Sequence, residues 1–342
     1  MAGYWKHEDH EVALSAVVDL GGFAAGDPAA ASEAVRLVRA ACSKHGFFQV
    51  ANHGVDPELI AETHRRAEAF FGLPQEQKEK IGRKPGNPYG YRDGFLEKVT
   101  SDDVPCKETM SMRHWVSPHS PHDMIVSYFT YHLGEDFLST GEVIQKYAEA
   151  MNALAMTIVE LLGVSLGLPG DYFREFFKQS DSIMRLNHYP SKKTTEKAVG
   201  IAAHCDPISL TILHQNSVDG LEIFVDGKWR LIRPKSQSFI VNLGDTFMAL
   251  SNGRYKSVLH RALVSSNVPR LTLAYFLSPE MEKKVTPPPE LVDDENPRLY
   301  PDYKWSQLLE FTQKVYKVDT DTIHVFSRWL TGSATPKIDA AV

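Results

Sequence analysis

Apolar residues recur at two different periods along this chain, and the change of period separates a helical part from a strand-rich part. From Thr140 to Leu166 they return every three or four residues, which predicts one long helix ending before Pro169. After about residue 180 they alternate with polar residues in short runs, which predicts strands. The predicted strands are 183–189, 209–215, 221–225, 229–232, 239–242, 258–264 and 271–277.

The residue pattern of the N-terminal third predicts helices around short strands. Farther along, Asp226-Gly227 predicts a tight hairpin between two later strands. Ser32 is the expected cap of the first helix, and Gly46 its stop. The expected elements here are a strand at 17–20, a helix from Ser32 to His45, a strand at 47–50, helices at 57–71 and 74–80, and a loop at 85–94. Residues 290–330 return to helix, with Trp305, Leu308, Leu309 and Phe311 as its apolar face.

This order of elements predicts an α+β fold: a mostly antiparallel jelly-roll (double-stranded β-helix) barrel core, flanked by N-terminal and C-terminal helices. The expected divisions are a loose N-terminus (1–13), a mostly helical region (14–120), a helical connector (121–179), the barrel core (180–280), a helical closure (281–330) and a disordered tail (331–342).

Composition narrows the class of protein. Hydrophobic residues make up 43% and charged residues 23% of the chain, as in ordinary globular proteins. A net charge of −6 argues against nucleic-acid binding. Three cysteines are too few for a disulfide framework, and neither a signal peptide nor an apolar run approaching a membrane span stands out. We therefore expect a cytoplasmic protein, or one shared between cytoplasm and nucleus, with no membrane association and no obligate protein partner.

The candidate chemistry begins with His204, Asp206 and His260. Two imidazoles and one carboxylate are the set that holds non-haem Fe(II) while leaving other positions open. With 14 His and 43 acidic residues, about two His-x-acid matches are expected by chance, and His7 supplies one in a polar stretch. His204 and Asp206 are instead followed by a strand-like run, and as residues two apart on a strand they would point to one side.

Arg270 and Thr272 follow ten residues after His260 and offer a fixed cation beside a hydroxyl, which suits a carboxylate on a co-substrate. Together with the metal ligands they predict an iron enzyme that consumes a keto acid. Zinc hydrolysis by the same three ligands would leave Arg270 and Thr272 without a role.

Strand alternation extends the candidate site. Arg185, Asn187 and Tyr189 share one strand face, and Phe276 shares a face with Arg270. A face that carries Arg, Asn and Tyr is costly to bury without partners, so an active site is favoured, although a solvated outer face would explain the pattern equally well. Three other histidines are interpreted as structural or near-surface residues, namely His53, His188 and His214.

Longer stretches carry a resemblance that covers about residues 15 to 330. They include HGFFQVANHGV (45–55), GYRDGF (90–95), KET (107–109), SIMRLNHYP (182–190), HCDPISLTILHQ (204–215), GLEIFVDGKWR (220–230), VNLGDTFMALSNGRYKSVLHRAL (241–263) and YPDYKWSQLLEFTQK (300–314). In these stretches the chain resembles plant 2-oxoglutarate- and Fe(II)-dependent dioxygenases, and most closely the gibberellin 20-oxidases.

The resemblance implies roles for the same residues. Fe(II) would be bound by His204, Asp206 and His260; the distal carboxylate of 2-oxoglutarate by Arg270, Thr272 and Tyr189; and Asn187 would lie near its iron-chelating end. The reaction would consume 2-oxoglutarate and O2, with ascorbate as the expected reductant, and would oxidise a small apolar carboxylic acid, a gibberellin, successively at C-20. Arg185 is the candidate for the substrate's cation partner and Phe276 for a pocket wall.

Four stretches depart from the family pattern, and the first two of them lie in regions that the family associates with substrate. LPWKET is here VPCKET with Cys106, NYYPPC is NHYPSK (187–192), R-x-S is Arg270-Leu-Thr272, and GTGP is GIAA (200–203). The alternatives are therefore a gibberellin 3β- or 2β-oxidase, an oxidase of another apolar acid, flavonoid or diterpenoid, or, outside the oxygenases, a zinc hydrolase or a vestigial small-molecule binder.

Overall fold

A computed structural model describes residues 17–94, 107–191, 199–235, 237–315 and 321–333. The strands are β1 (Val17–Asp19), β2 (Phe47–Ala51), β3 (Gly90–Asp93), β4 (Glu108–Val116), β5 (Ser180–Tyr189), β6 (Val199–His204), β7 (Leu210–Gln215), β8 (Leu221–Val225), β9 (Lys228–Ile232), β10 (Phe239–Leu243), β11 (His260–Leu263), β12 (Arg270–Leu277), β13 (Lys284–Val285) and β14 (Tyr303–Lys304). The helices are α1 (Leu20–Ala24), α2 (Pro28–Lys44), α3 (Pro57–Phe71), α4 (Gln75–Lys80), α5 (Met124–Leu133), α6 (Leu138–Ser165), α7 (Tyr172–Phe177), α8 (Asp245–Leu250), α9 (Trp305–Lys314) and α10 (Thr322–Leu330).

Two sheets face each other across an apolar layer. The larger has eight strands in the order β1-β2-β10-β7-β12-β5-β4-β3, and the smaller has the order β6-β11-β8-β9. Leu213 and Ile240 of the larger sheet pack in one buried cluster with Leu221 and Ile223 of the smaller sheet. No ladder joins the two sheets within the described residues, so a closed barrel, as expected from the sequence, is not what these strands form.

The outer face of the large sheet is covered by helices. The core helix α6 packs on α2, α3 and β12, and its buried positions repeat at helical spacing through Ile144, Tyr147, Met151 and Ile158. By length and composition this helix could cross a membrane, but just over half of its most apolar window is buried inside the protein. That burial is typical of a core helix.

Helix ends follow local capping chemistry. The helix α3 begins where the sequence predicts, because Asp56 accepts a hydrogen bond from the Glu58 amide and Pro57 occupies the first turn. The prediction that Ser32 caps α2 is wrong. Asp27 caps it instead, accepting hydrogen bonds from two backbone amides ahead of a run of alanines that shows no apolar periodicity.

One further prediction of local structure is corrected by pairing in the sheet. The expected loop at 85–94 contains β3, which pairs with β4 from Gly90 to Asp93. The sequence predicts neither the strand β4 nor the helix α8, whereas α5 and α7 lie within the predicted helical connector at 121–179. The hairpin at Asp226-Gly227 agrees with the prediction, since both residues have positive φ, 50° and 73°.

Candidate metal centre and co-substrate pocket

His204, Asp206 and His260 converge between the two sheets. His204 ends β6 and lies directly opposite His260, the first residue of β11. One ligand atom from each of the three residues lies within 4.8 Å of the others. His204 Nε2 is 3.5 Å from Asp206 Oδ1, and His260 Nε2 is 3.8 Å from Asp206 Oδ2. Distances of this size let all three atoms bind one ion at about 2 Å.

The explanation expected for this convergence, that His204 and Asp206 share a strand face, is wrong. The strand β6 ends at His204, and Asp206 lies beyond it outside any strand. The position of Asp206 comes from later parts of the chain: its carbonyl accepts from the Asp245 amide at 2.8 Å, and its Oδ2 accepts from the Thr211 hydroxyl at 2.6 Å.

Hydrogen bonds at the far side of each ring orient the imidazoles. Nδ1 of His204 donates to the Ala202 carbonyl at 2.8 Å, and Nδ1 of His260 donates to the Val258 carbonyl at 3.0 Å. A carbonyl can only accept, so the proton lies on Nδ1 and the lone pair on Nε2, toward Asp206. Metal-binding histidines are commonly held in this way.

Burial shapes the charge of the three ligands. It lowers the pKa of His260, and the nearby His204 ring lowers it further, so the imidazole is held neutral as a metal ligand must be. Burial alone would raise the pKa of the Asp206 carboxyl, but the two imidazoles and the Thr211 hydroxyl outweigh it and leave this pKa lowered. A neutral His260 imidazole and an anionic Asp206 carboxylate suit a divalent cation.

Arg270 supplies an unsatisfied cation in the same pocket. Its side chain is among the largest that are fully buried, and its guanidinium lies 5.0 Å from the ring centroid of Tyr189. Nη2 donates to Gln215 Oε1 at 2.6 Å, whereas Nε and Nη1 have no hydrogen-bond partner. A buried guanidinium with free donors fits a carboxylate, which can accept two parallel hydrogen bonds.

The other predicted co-substrate residues lie beside Arg270. Tyr189 pairs with Arg270 and Asn187 pairs with Thr272 across the β5–β12 ladder. The Asn187 amide donates to the Thr272 hydroxyl at 3.0 Å, and both side chains are buried. All four residues line the cavity of about 100 Å3 that also contains the three metal ligands. A co-substrate bound here would reach from Arg270 to the metal.

Arg185 and Phe276 also line this cavity. The guanidinium lies 4.9 Å from the ring centroid of Phe276, and Nε donates to Ser111 at 2.8 Å. Burial lowers the pKa of Arg185, which still leaves the group charged at neutral pH. Both residues therefore lie in the same cavity as the metal ligands, and their roles toward substrate stay predictions.

Several residues of the site were missed from the sequence. Thr211 and Gln215 share one face of β7, where they bond Asp206 and Arg270, and strand alternation from either one would have indicated the other. Asn242 and Lys107 also line the cavity, and both lie in stretches that carry the family resemblance, at 241–263 and 107–109. Burial, together with the charges of nearby arginines, lowers the pKa of Lys107 to about 7.

The remaining candidate histidines lie outside the metal centre. His188 bonds Glu108, His214 bonds His64, and His53 contacts the Gln237 carbonyl. These structural contacts agree with their interpretation as non-ligands. His7 and Cys106 lie outside the described residues.

Two family models match the sequence. Residues 180–279 match the 2OG-Fe(II) oxygenase superfamily, and residues 16–129 match the N-terminal region described as non-haem dioxygenase in morphine synthesis. Gibberellin 20 oxidase 1-D of Triticum aestivum is 50% identical over 321 residues, which cover 94% of this chain and 88% of that protein. The chain belongs to the 2OG-Fe(II) oxygenase superfamily.

Other comparisons agree with this assignment. Gibberellin 20 oxidase 1 of Arabidopsis thaliana is 50% identical over 305 residues, covering 89% of this chain and 80% of that protein. The solved structure of JOX2 in complex with 2OG, Fe and JA has a TM-score of 0.77 and 30% identity, covering 92% of this chain and 89% of that one. The protein is an Fe(II)- and 2-oxoglutarate-dependent dioxygenase.

The residues present fit both groups that this family uses. The three convergent ligand atoms fit Fe(II) with open positions left over. The two free donors of Arg270 fit the carboxylate of 2-oxoglutarate that does not reach the metal. A zinc hydrolase would leave that buried cation unused.

Proposed function

We propose that this dioxygenase oxidises gibberellin precursors successively at C-20, converting C20- to C19-gibberellins in hormone biosynthesis. The observation that carries the proposal is the identity of about 50% with gibberellin 20 oxidases across 89% to 94% of the chain. JOX2, at 30% identity, has the same fold but is much less similar in sequence. A gibberellin 3β- or 2β-oxidase is the alternative that a product assay must separate.

The two ends of the co-substrate have different partners in this proposal. Arg270 and Thr272, with Tyr189 stacked on the guanidinium, would hold the distal carboxylate, and Asn187 would orient the rest through its bond to Thr272. His204, Asp206 and His260 would hold the iron, which when bound supplies the activation of O2 coupled to decarboxylation of 2-oxoglutarate. The protein contributes orientation and a site from which bulk water is excluded.

The substrate side of the cavity combines a cation with an aromatic wall. Arg185 would attract the carboxylate of an apolar acid, and Phe276, against which it packs, would contact the hydrocarbon skeleton. We also propose that the two facing sheets correspond to the jelly roll of the family. A cytoplasmic location and ascorbate as reductant stay predictions from the sequence.

The test is an anaerobic loading experiment. Full-length protein is equilibrated with Fe(II), 2-oxoglutarate and a C20 gibberellin acid, then exposed to O2, while succinate and the gibberellin products are followed together by mass spectrometry. We expect stepwise C-20 oxidation with one succinate formed per step. Oxidation only at another carbon would support a 3β- or 2β-oxidase. Absence of substrate-stimulated succinate with every gibberellin would contradict the proposal.

A further inference from the structure

Two guanidinium groups share a single hydroxyl at the edge of the cavity that contains the three metal ligands, called the iron cavity below. Arg83 Nη2 and Arg185 Nε both donate to Ser111 Oγ, at 3.1 Å and 2.8 Å. Ser111 is fully buried in the middle of β4. Burial, and then the charge of Arg185, lower the pKa of Arg83 to about 10, so both groups stay cationic at neutral pH.

Neither Arg83 nor Arg185 forms an ion pair within the described ranges of the chain. The Asp206 carboxylate favours the charged form of Arg185, but from beyond ion-pair distance. Nε of Arg83 is buried without a hydrogen-bond partner, and the other face of Arg185 packs on Phe276. Adjacent desolvated cations are unfavourable unless an anion joins them. The pair therefore has the properties of an anion site that is complete only with its ligand.

The fold fixes this arrangement. Gly90, Ser111 and Arg185 are consecutive partners across β3, β4 and β5. Gly90 has φ +111°, and an added Cβ would lie 2.9 Å from the Arg83 amide nitrogen. That amide donates to the Tyr91 carbonyl at 2.7 Å, which ties the backbone of Arg83 alongside β3. Only a residue without a Cβ lets this segment approach closely enough for Arg83 to reach Ser111.

We propose that Arg83 and Arg185 together clamp one carboxylate of the substrate, with Ser111 holding the two guanidiniums in register. This inference rests on the proposed function only in taking the substrate to be an apolar acid. It makes Arg83 a specificity-determining residue, although it lies far before the strand-rich part of the chain. Two guanidiniums around one carboxylate can satisfy both of its oxygens with several charge-assisted hydrogen bonds.

Two cavities flank this pair of arginines. The iron cavity measures about 100 Å3, less than the several hundred Å3 that pockets for drug-sized ligands enclose, so an apolar acid of that size needs space beyond it. Arg185 lines that cavity, whereas Arg83 lines a second one of about 580 Å3 with Lys84 and Arg92. A carboxylate held between Arg83 and Arg185 would therefore lie between these two cavities.

The experiment compares an acid with its methyl ester. Equilibrium binding of a C20 gibberellin acid and of the ester is measured on the anaerobic protein loaded with Fe(II) and 2-oxoglutarate. Arg83→Met should weaken binding of the acid by about 10- to 100-fold and change binding of the ester by less than about 3-fold. Arg83→Lys should recover part of the loss. Arg36→Met, which removes a charge from a side chain that is 64% exposed, is the control and should change neither.

The double variant tests whether both arginines hold the same carboxylate. If they do, Arg83→Met with Arg185→Met should lose less than the product of the two single losses. Equal losses for acid and ester would indicate a purely structural role for Arg83 and would overturn the clamp, as would wild-type affinity in Arg83→Met.

A second ligand keeps this test separate from the proposed function. 4-(1-Pyrenyl)butyrate and its methyl ester, an apolar acid and ester with their own fluorescence, are titrated into the same proteins. If wild type binds no gibberellin, the proposed function fails, yet an Arg83-dependent preference for the pyrenyl acid would still support the clamp. Lack of any acid-over-ester preference with both ligands overturns it.

Discussion

Gln215 accepts a hydrogen bond of 2.6 Å from Nη2 of Arg270, and this bond aims the rest of the guanidinium into the cavity. Nη1 and Nε are left without partners there. Because the Gln215 side chain is a neutral amide, it orients the cation without cancelling its charge. The charge of Arg270 therefore stays available to a carboxylate of the co-substrate.

Replacing that amide with an acid tests the arrangement. Gln215→Glu would pair Arg270 with an internal carboxylate and repel 2-oxoglutarate, so we expect KM for 2-oxoglutarate to rise by at least about 10-fold. Asn216→Asp makes the same change one residue later, where the amide contacts the Pro269 carbonyl and not Arg270, and should change KM by less than about 3-fold. Similar shifts in both variants would contradict this role for Gln215.

The Thr211 hydroxyl gives a prediction about metal affinity. It donates to Asp206 Oδ2 at 2.6 Å and thereby orients one of the three ligands. Thr211→Val keeps the shape but removes the donor, so the Kd for Fe(II) should rise about 10-fold in anaerobic calorimetric titrations. Thr211→Ser restores the hydroxyl and should bind iron nearly as wild type does. Wild-type affinity in the valine variant would show that Asp206 needs no such support.

Sequence reasoning succeeded where the signals are local. Asp56 and Pro57 lie at the start of α3, as the sequence indicates, and Asp226-Gly227 has the positive φ angles that a tight hairpin turn requires. It failed at β4, where Glu108, Ser111 and His114 are buried together with the apolar positions. Their partners come from distant segments, so the strand reads as polar although it lies inside the sheet.

The residues of the site also fall into those that a local pattern predicts and those that it does not. Strand alternation placed Arg185 and Asn187 on one face because both lie within β5. It could not place Asp206, whose position depends on a backbone contact with Asp245 at the start of α8, almost forty residues later. Nor could it reveal Arg83, which reaches the site through a close approach at Gly90. Asp206 and Arg83 are therefore positioned by contacts between distant segments, which the periodicity within one segment does not predict.

Gly244, the residue before α8, gives a prediction about packing. A Cβ on Gly244 would lie 2.1 Å from the Ile208 carbonyl oxygen and 2.6 Å from that of Asp206, so the backbone that carries the metal ligand would have to shift. Gly244→Ala should lower the free energy of unfolding by about 1–3 kcal/mol and weaken iron binding. Gly170→Ala, where the nearest atom would be 3.7 Å away, is the control for adding a methyl group. Urea unfolding and iron titration check both, and a stable, iron-binding Gly244→Ala would contradict this account.

The buried Glu108 gives a prediction about acid stability. Burial alone would raise its pKa, but hydrogen bonds from His188, Lys78 and Tyr91 outweigh that effect and lower it to about 2, from an ordinary value of 4.5. When the folded pKa is the lower one, the unfolded chain binds the proton first as pH falls. The stabilisation by this carboxylate is therefore complete above pH 4.5 and is lost progressively between pH 4.5 and 2.

Glu108→Gln removes the titrating group and leaves the Lys78 ammonium buried without its carboxylate, which should lower the free energy of unfolding by about 3 kcal/mol at neutral pH. Urea unfolding of wild type and variant between pH 7 and pH 2.5 measures the difference between their free energies of unfolding. This difference should shrink below pH 4.5, because only wild type loses the ionised pair. Glu310→Gln removes an exposed partner of Lys314 and should change stability by less than about 1 kcal/mol at any pH. A difference between wild type and Glu108→Gln that stays constant down to pH 2.5 would show that Glu108 is not held ionised by this network.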